Sequence, residues 1–349
     1  MDRLSAAKLQ SGETNKKPLE GRAPDIDVRG QQIQDPDVSP EGGVFTRRNV
    51  VLGGAALAAA GAAEATGLNP FTNFLGKPLG ELDYHTKANE FKRILEQRYG
   101  IRLSMGPQQG QDRVLGDPML LEKYRTVMEV IADELSKYPP EMLQKIGKDR
   151  VFEIRVIDNL YLKAPEDAVL PGVTKITGGN AQWHAKDGAT RISLKANETE
   201  RQLRRNIHHE LNHIFSFEWQ DQNARDRRWV RLNSETSRNP YVEVPEDVEP
   251  DTPTDDRRFL SLNASSKAEE DQAVCAEWMM TPLLHAEFLT RWRDEQDQDV
   301  KNALAAKYIE TKNNYLNWSG GKIDDAFWQV IIKRGEEELT NRKKPQVSS

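Results

Sequence analysis

Residues 206–213 read Asn-Ile-His-His-Glu-Leu-Asn-His, and the last five of them form the pattern His-Glu-x-x-His. On an α-helix, residues four positions apart lie one above the other, so His209 and His213 can present two imidazole nitrogens to one metal ion. Glu210 is rotated from His209 by about 100°, where it can reach a water beside the metal without binding the metal itself. His208 cannot replace His209, because it lies five positions before His213 and the two side chains would point in different directions from the helix. The stretch therefore predicts a helix with a metal site on one face.

The residues around this pattern favour zinc as the metal. A helix is predicted from Glu198 to Trp219, with one face formed by apolar side chains, namely Leu203, Ile207, Leu211, Ile214 and Phe215. A catalytic zinc takes three protein ligands and leaves one position for water, so a third ligand is needed. The single cysteine, Cys275, rules out a thiolate cluster and is expected to be a small buried residue. Ser216 and Trp219 stand where metzincins would have Gly and His.

A second helix is predicted to begin within residues 261–279, behind a serine that would cap it. Its first turn contains Glu269, Glu270 and Asp271, and Glu277 follows Glu270 two turns later on the same face. Carboxylates are favourable at the beginning of a helix, and this is the role expected for Glu269 and Asp271.

The sequence resembles a known group of enzymes at these two helices. The motif at 209–213 is followed by Phe-x-Ser at 259–261 and by Glu-Asp-x-Ala at 270–273, as in gluzincin metallopeptidases of the anthrax-lethal-factor-like and zinc-binding metallopeptidase group. The similarity covers roughly residues 175–290. It implies a zincin-like domain, Zn²⁺ as cofactor, Glu270 as third ligand and a peptide or protein substrate. Glu277 remains the alternative ligand, or an acceptor for a hydrogen bond from a ligating histidine.

One position departs from that group. Its members often have a tyrosine seven residues before the ligand glutamate, where it stabilises the oxyanion. This chain has Asn263 there, which can donate a hydrogen bond but is shorter. Tyr241, His184 and His285 are the alternative oxyanion partners, and each can equally be a packing or surface residue.

The fold expected from the whole sequence is α+β and mostly helical, with a small sheet beside the helix of the metal motif. Apolar residues at helical spacing predict helices at 85–98, 117–136, 141–146, 198–219, 267–295, 297–316 and 323–338. Alternating and β-branched residues predict extended segments at 151–157, 175–185 and 191–194. Residues 220–258 are polar and rich in Pro and Asp, which predicts an excursion or lid rather than core.

The N-terminal part of the chain differs from the rest. Residues 1–45 contain no aromatic residue before Phe45 and are predicted to be a disordered leader. Residues 46–65 contain Arg47-Arg48 and an apolar run ending in Ala-Glu-Ala, which resembles a twin-arginine export signal. If this signal is used, the metallopeptidase domain comprises residues 66–349, and the protein is expected to be periplasmic or secreted. An Ala-rich helix in a cytoplasmic protein is the alternative.

Composition limits the partners of the protein. The 49 basic and 55 acidic residues give a net charge of −6, which offers no electrostatic basis for binding nucleic acid. Arg201, Arg204 and Arg205 are accordingly expected to form a solvated helix face. No apolar run reaches the roughly 20 residues of a membrane-spanning helix, so no stable span is expected in the mature chain.

The function predicted from these features is hydrolysis of peptide bonds, with Glu210 activating a zinc-bound water. The extended segment at 179–183 is expected to be an edge strand that pairs with an extended peptide, as the resemblance implies. Gly178-Gly179 is equally consistent with a simple turn. A zinc hydrolase with a non-peptide substrate and a non-catalytic peptide-binding protein are the alternatives, although a pure binding protein has no need of Glu210.

Overall fold

The computed structural model describes residues 81–106, 118–157, 161–163, 174–176, 179–182, 188–233, 239–244 and 252–343. Its helices are α1 Glu81–Tyr99, α2 Pro118–Ser136, α3 Pro140–Ile146, α4 Glu200–Trp219, α5 Gln222–Asn233, α6 Ala268–Met280, α7 Pro282–Asp294, α8 Gln298–Trp318 and α9 Asp325–Lys343. Its strands are β1 Ile101–Gly106, β2 Phe152–Ile157, β3 Tyr161–Lys163, β4 Thr174–Ile176, β5 Gly179–Gln182 and β6 Thr190–Lys195. The leader predicted at 1–45 and the export signal predicted at 46–65 lie outside the described residues.

Four of the strands form one sheet in the order β1-β2-β6-β5, and β3 pairs with β4. Strands β1, β2 and β6 run parallel, so that Leu103 lies opposite Ile154 and Ile154 opposite Ile192, whereas β5 runs antiparallel to β6. These three side chains are buried, as is usual for parallel strands. Helix α4, which carries the metal motif, packs against β5 and β6. The prediction of a mostly helical α+β fold with a small sheet beside this helix is confirmed.

Two apolar clusters form the core of the described residues. The larger one joins the sheet to the surrounding helices through side chains that include Phe91, Leu95, Met128, Ile131, Ile154, Ile192, Leu211 and Phe215. The smaller one lies among α5, α6, α7 and α8 and includes Trp229, Phe259, Val274, Phe288 and Leu304. Within 81–343, none of the described helices is both long and apolar enough to span a bilayer.

The prediction that residues 220–258 form an excursion outside the core is wrong for its first part. Helix α5 occupies Gln222–Asn233 and buries Trp229 completely. The mean composition of this segment is polar because charged residues cover the outer faces of α5, whereas its buried side includes the large indole of Trp229 together with Arg225 and Asn233. A segment-wide average therefore missed a helix whose buried side is itself largely polar.

The helix predicted at 267–295 is two helices. Thr281 ends α6 in an extended conformation, with φ −95° and ψ 111°, and Pro282 begins α7. Proline lacks the amide hydrogen that an uninterrupted helix needs, and it disfavours helical geometry in the residue before it. The break turns α7 so that it packs against α9.

Helices α7 and α9 approach closely at Gly335. A Cβ atom placed on Gly335 would lie 2.0 Å from the carbonyl oxygen of Pro282, which is a severe overlap with backbone. Gly335→Ala should therefore lower the free energy of unfolding by roughly 1–3 kcal/mol, the usual cost of overpacking. Urea denaturation would measure this, with the exposed Glu337→Ala on the same helix as control. Equal stability of the two variants would contradict the close approach.

His285 of α7 is fully buried between Tyr308 of α8 and Trp328 of α9, with ring centroids 5.6 Å and 5.9 Å away. Burial lowers the pKa of His285 to about 3, and the backbone of Met279 offsets this only in part. An unfolded histidine has a pKa of about 6.5. The neutral ring thus contributes its full stability above pH 6.5, and this contribution is lost as the pH falls toward 3.

His285→Leu should weaken the dependence of stability on acid. Between pH 7 and pH 4, the wild-type free energy of unfolding should fall by roughly 3 kcal/mol more than that of the variant, because only the wild type gains this proton on unfolding. Urea titrations at several pH values would measure the difference. Parallel curves for the two proteins over this range would show that His285 does not contribute.

Candidate metal centre

Helix α4 is capped and amphipathic, which fixes the position of its metal motif. The Thr199 side chain accepts a hydrogen bond from the amide of Gln202, and the Gln202 side chain accepts one from the amide of Thr199. This capping box ends the connection from β6 and starts the helix. Leu203, Ile207 and Leu211 are buried on the inner side of α4. The middle turns of the helix are thereby held against the sheet.

The structure brings His209, His213 and Glu270 together. Nε2 of His209 lies 3.1 Å from Nε2 of His213 and 3.1 Å from Oε2 of Glu270, and Nε2 of His213 lies 3.5 Å from Oε1 of Glu270. With one ligand atom taken from each residue, all three atoms lie within 4.8 Å of one another. The three side chains are 10–16% exposed, so the group is largely enclosed but still reachable from solvent.

These distances fit a zinc ion. Tetrahedral zinc with bonds of about 2.0–2.1 Å holds its ligand atoms about 3.3 Å apart. Two imidazole nitrogens and a carboxylate oxygen are also ligands that zinc prefers. All three are acceptors, and their lone pairs repel one another at such distances unless a proton or a cation lies among them. The donor set and the separations of the two imidazole nitrogens from the Glu270 carboxylate are therefore compatible with a zinc ion.

The pKa values of the group reflect this crowding of acceptors. Burial by itself would lower the pKa of His209, but hydrogen bonds to Glu270 and Glu277 outweigh burial and hold that pKa well above its ordinary value. Burial would raise the pKa of Glu270, but the neighbouring His213 and His209 hold it well below the ordinary range. The residues thus favour one positive charge at the centre of the group.

Glu210 is buried beside the group and does not belong to it. Burial raises the pKa of its carboxyl group, and the opposing effects of His209 and His213 do not cancel this. The backbone of Ala181, on strand β5, donates a hydrogen bond to the carboxylate. Glu210 therefore lies between the two histidines and the edge strand of the sheet.

Glu270 is held by two neighbours at the beginning of α6. Asn263 donates a hydrogen bond of 2.8 Å from Nδ2 to Oε2 of Glu270, and the ammonium of Lys267 lies 3.6 Å from Oε1. The expected serine cap is not observed, because Lys267 is the residue that precedes the helix and Ser266 bonds the carbonyl of Asn263. Asn263, a candidate oxyanion partner, thus contacts the carboxylate of the third candidate ligand.

Glu277 lies outside the group of three. Its Oε2 is 3.2 Å from Nδ1 of His209, on the opposite side of the imidazole from the nitrogen that faces Glu270. Its Oε1 pairs with Arg205. Glu277 was expected to be either the third ligand or an acceptor for a hydrogen bond from a ligating histidine. Its position beside Nδ1 of His209 matches the second of these roles.

The other candidate oxyanion partners lie elsewhere. The Tyr241 hydroxyl lies 3.3 Å from Asp271, and Asn233 donates a hydrogen bond to it. His285 is in the core described above, and His184 lies outside the described residues. The described contacts therefore bring none of these three to the metal group.

Two arginines of α4 are not the solvated side chains that the sequence predicted. Arg204 pairs with Asp133 and Glu134 of α2, and Arg205 pairs with Glu277 of α6. Arg201 is closer to expectation, half exposed and 3.7 Å from Glu287. Each of these two arginines lies four positions before one of the two adjacent histidines, on the same face of the helix. This spacing was the sequence signal for the pairs, although the carboxylates that bind the arginines lie far away in the sequence.

Comparison with known proteins gives one distant similarity. A crystal structure of a Bacteroides caccae protein provisionally named a zinc-binding metallo-peptidase matches 72% of this chain and 94% of its own, with 14% sequence identity and a TM-score of 0.43. A TM-score below 0.5 does not by itself establish a shared fold or activity. No protein-family model and no curated protein match the sequence.

Proposed function

We propose that this protein is a zinc-dependent peptidase whose metal ligands are His209, His213 and Glu270. The observation that carries the proposal is the convergence of the two imidazole Nε2 atoms, 3.1 Å apart, on the carboxylate of Glu270, one ligand atom of each residue lying within 4.8 Å of the others, with Glu210 buried beside them. A helix that only packs against a sheet has no need of three mutually repelling acceptors. The intact carboxylate of Glu210 favours catalysis over simple binding of a peptide.

The chemistry follows from these positions. Zinc bound there would polarise the scissile carbonyl and lower the pKa of the attacking water. Glu210 is placed to accept the proton of that water and to pass it to the leaving amine. Glu277 accepts the Nδ1 proton of His209 and so leaves the lone pair of Nε2 for the metal.

Strand β5 favours a peptide over other substrates. It lies at an edge of the four-stranded sheet, and among the described residues it pairs with β6 alone. An extended peptide can add to such an edge through backbone hydrogen bonds. Since Ala181 of β5 contacts Glu210, a peptide along this strand would pass beside the base. A non-peptide substrate would make no use of this arrangement.

The full-length protein should bind about one equivalent of zinc, and His209→Ala and Glu270→Ala should each lose most of it, because each removes one of three ligands. Elemental analysis after dialysis would measure the zinc content, with the exposed Glu337→Ala as control. Less than about half an equivalent in the wild type, or full retention in both ligand variants, would disprove the site.

Glu210→Gln should retain zinc but lower peptide cleavage by about 10²-fold or more, since the amide cannot accept the proton. Cleavage of a mixture of unstructured peptides, followed by mass spectrometry, would measure the rate, and zinc content would be determined on the same samples. Undiminished cleavage by a zinc-loaded Glu210→Gln protein would refute the assigned role.

A further inference from the structure

The metal helix carries an ion-paired triad on the side of α6, formed by Arg205, Glu277 and His209. Arg205 pairs with one oxygen of Glu277, and the other oxygen lies 3.2 Å from Nδ1 of His209. Glu277 is buried and Arg205 is nearly so, so solvent screens the pair little. This α6 triad attaches the metal helix to the helix that supplies Glu270.

A second triad with the same three residue types lies on the side of α2 and contains Arg204, Glu134 and His208, and the ammonium of Lys137 also pairs with Glu134. The fully buried Glu134 pairs with Arg204, and its other oxygen contacts Nε2 of His208. Nδ1 of His208 lies 2.7 Å from the hydroxyl of Tyr138, which donates to it when the ring proton is on Nε2. This α2 triad has no contact with the three candidate ligands among its described hydrogen bonds.

The two triads are related by a shift of one residue along α4. In each, an arginine and a histidine four positions apart share a carboxylate from a neighbouring helix, Arg204 with His208 and Arg205 with His209. Adjacent residues on a helix point about 100° apart, so the two carboxylates hold α4 from two different directions. Packing on the sheet already limits the rotation of α4, and two such attachments in different directions restrain that rotation further than one.

Small rotations of α4 matter for the metal group. An imidazole nitrogen extends about 7 Å from the helix axis, given a Cα radius of about 2.3 Å and the length of the side chain. A rotation of about 10° therefore moves that nitrogen by about 1 Å. Metal–ligand distances are held to within about 0.2 Å, so a rotation of this size would separate His209 and His213 from Glu270.

We infer that the α2 and α6 triads together fix the rotation of α4 at which His209 and His213 meet Glu270. The inference rests on the zinc binding proposed above. It makes Arg204, Glu134 and Tyr138 positioning residues for a metal that they do not touch. The α6 triad orients one ligand directly, and the α2 triad acts through the backbone of the helix.

Zinc affinity, compared with stability, tests this role. In the full-length protein, we would measure the zinc dissociation constant by competition with a chromophoric chelator, and the unfolding free energy of the metal-free form in urea. Arg205→Met tests the α6 triad. Tyr138→Phe, which removes one hydroxyl, and Arg204→Met test the α2 triad. Gly335→Ala is the control, since it destabilises the protein at the α7–α9 contact and changes no residue of either triad.

Arg205→Met should weaken zinc binding by up to about 10-fold, because Arg205 acts through Glu277, the partner of His209. Tyr138→Phe and Arg204→Met should weaken it by about threefold or more and alter the visible absorption spectrum of the Co²⁺-substituted protein. Gly335→Ala should change neither property. If both α2-triad variants match Gly335→Ala in affinity and spectrum, the inference is overturned. A wild-type protein that binds no zinc would instead overturn the proposed function.

Discussion

The side chains of His209, His213 and Glu270 face one another, with 3.1 Å between the two Nε2 atoms and with 3.1 Å and 3.5 Å from these atoms to different oxygens of Glu270, and this is the arrangement that the surrounding structure has to maintain. Helix geometry alone supplies two of them, because a spacing of four places both imidazoles on one face. The third comes from another helix, and repulsion among lone pairs opposes its approach. The position of α6 relative to α4 is therefore the constraint on which the site depends.

That position is stabilised at the beginning of α6 by a buried ion pair next to Glu270. Lys307 of α8 lies 2.9 Å from both oxygens of Asp271, and both side chains are fully buried. Burial of two charges is costly unless their remaining hydrogen-bonding capacity is satisfied. Asn233 and Tyr241 satisfy it at Asp271, so residues of the polar segment after α4 help to place the third ligand. Asp271 is thus in the first turn of α6, as predicted, and is in addition the buried partner of Lys307.

Local pattern was sufficient to predict the helix of the metal motif, the two histidines on its face and most of the other elements. Glu270 followed only from family resemblance, because acidic residues at a helix start have no local feature that marks a ligand. Strand β1 was missed, since its pairing with β2 joins residues about 50 positions apart. Arg204 and Arg205 were misread for the same reason: their carboxylate partners are 70 and 72 residues away.

The adjacent residues His208 and His209 show what distinguishes a metal ligand from a core histidine in this helix. Both contact a buried glutamate that is paired with an arginine. In His208 the other ring nitrogen is satisfied by the Tyr138 hydroxyl, so the ring is complete without a metal. In His209 the other nitrogen faces Glu270 and His213. The partner of the second nitrogen, rather than burial or the first carboxylate, therefore distinguishes the proposed ligand from the core histidine.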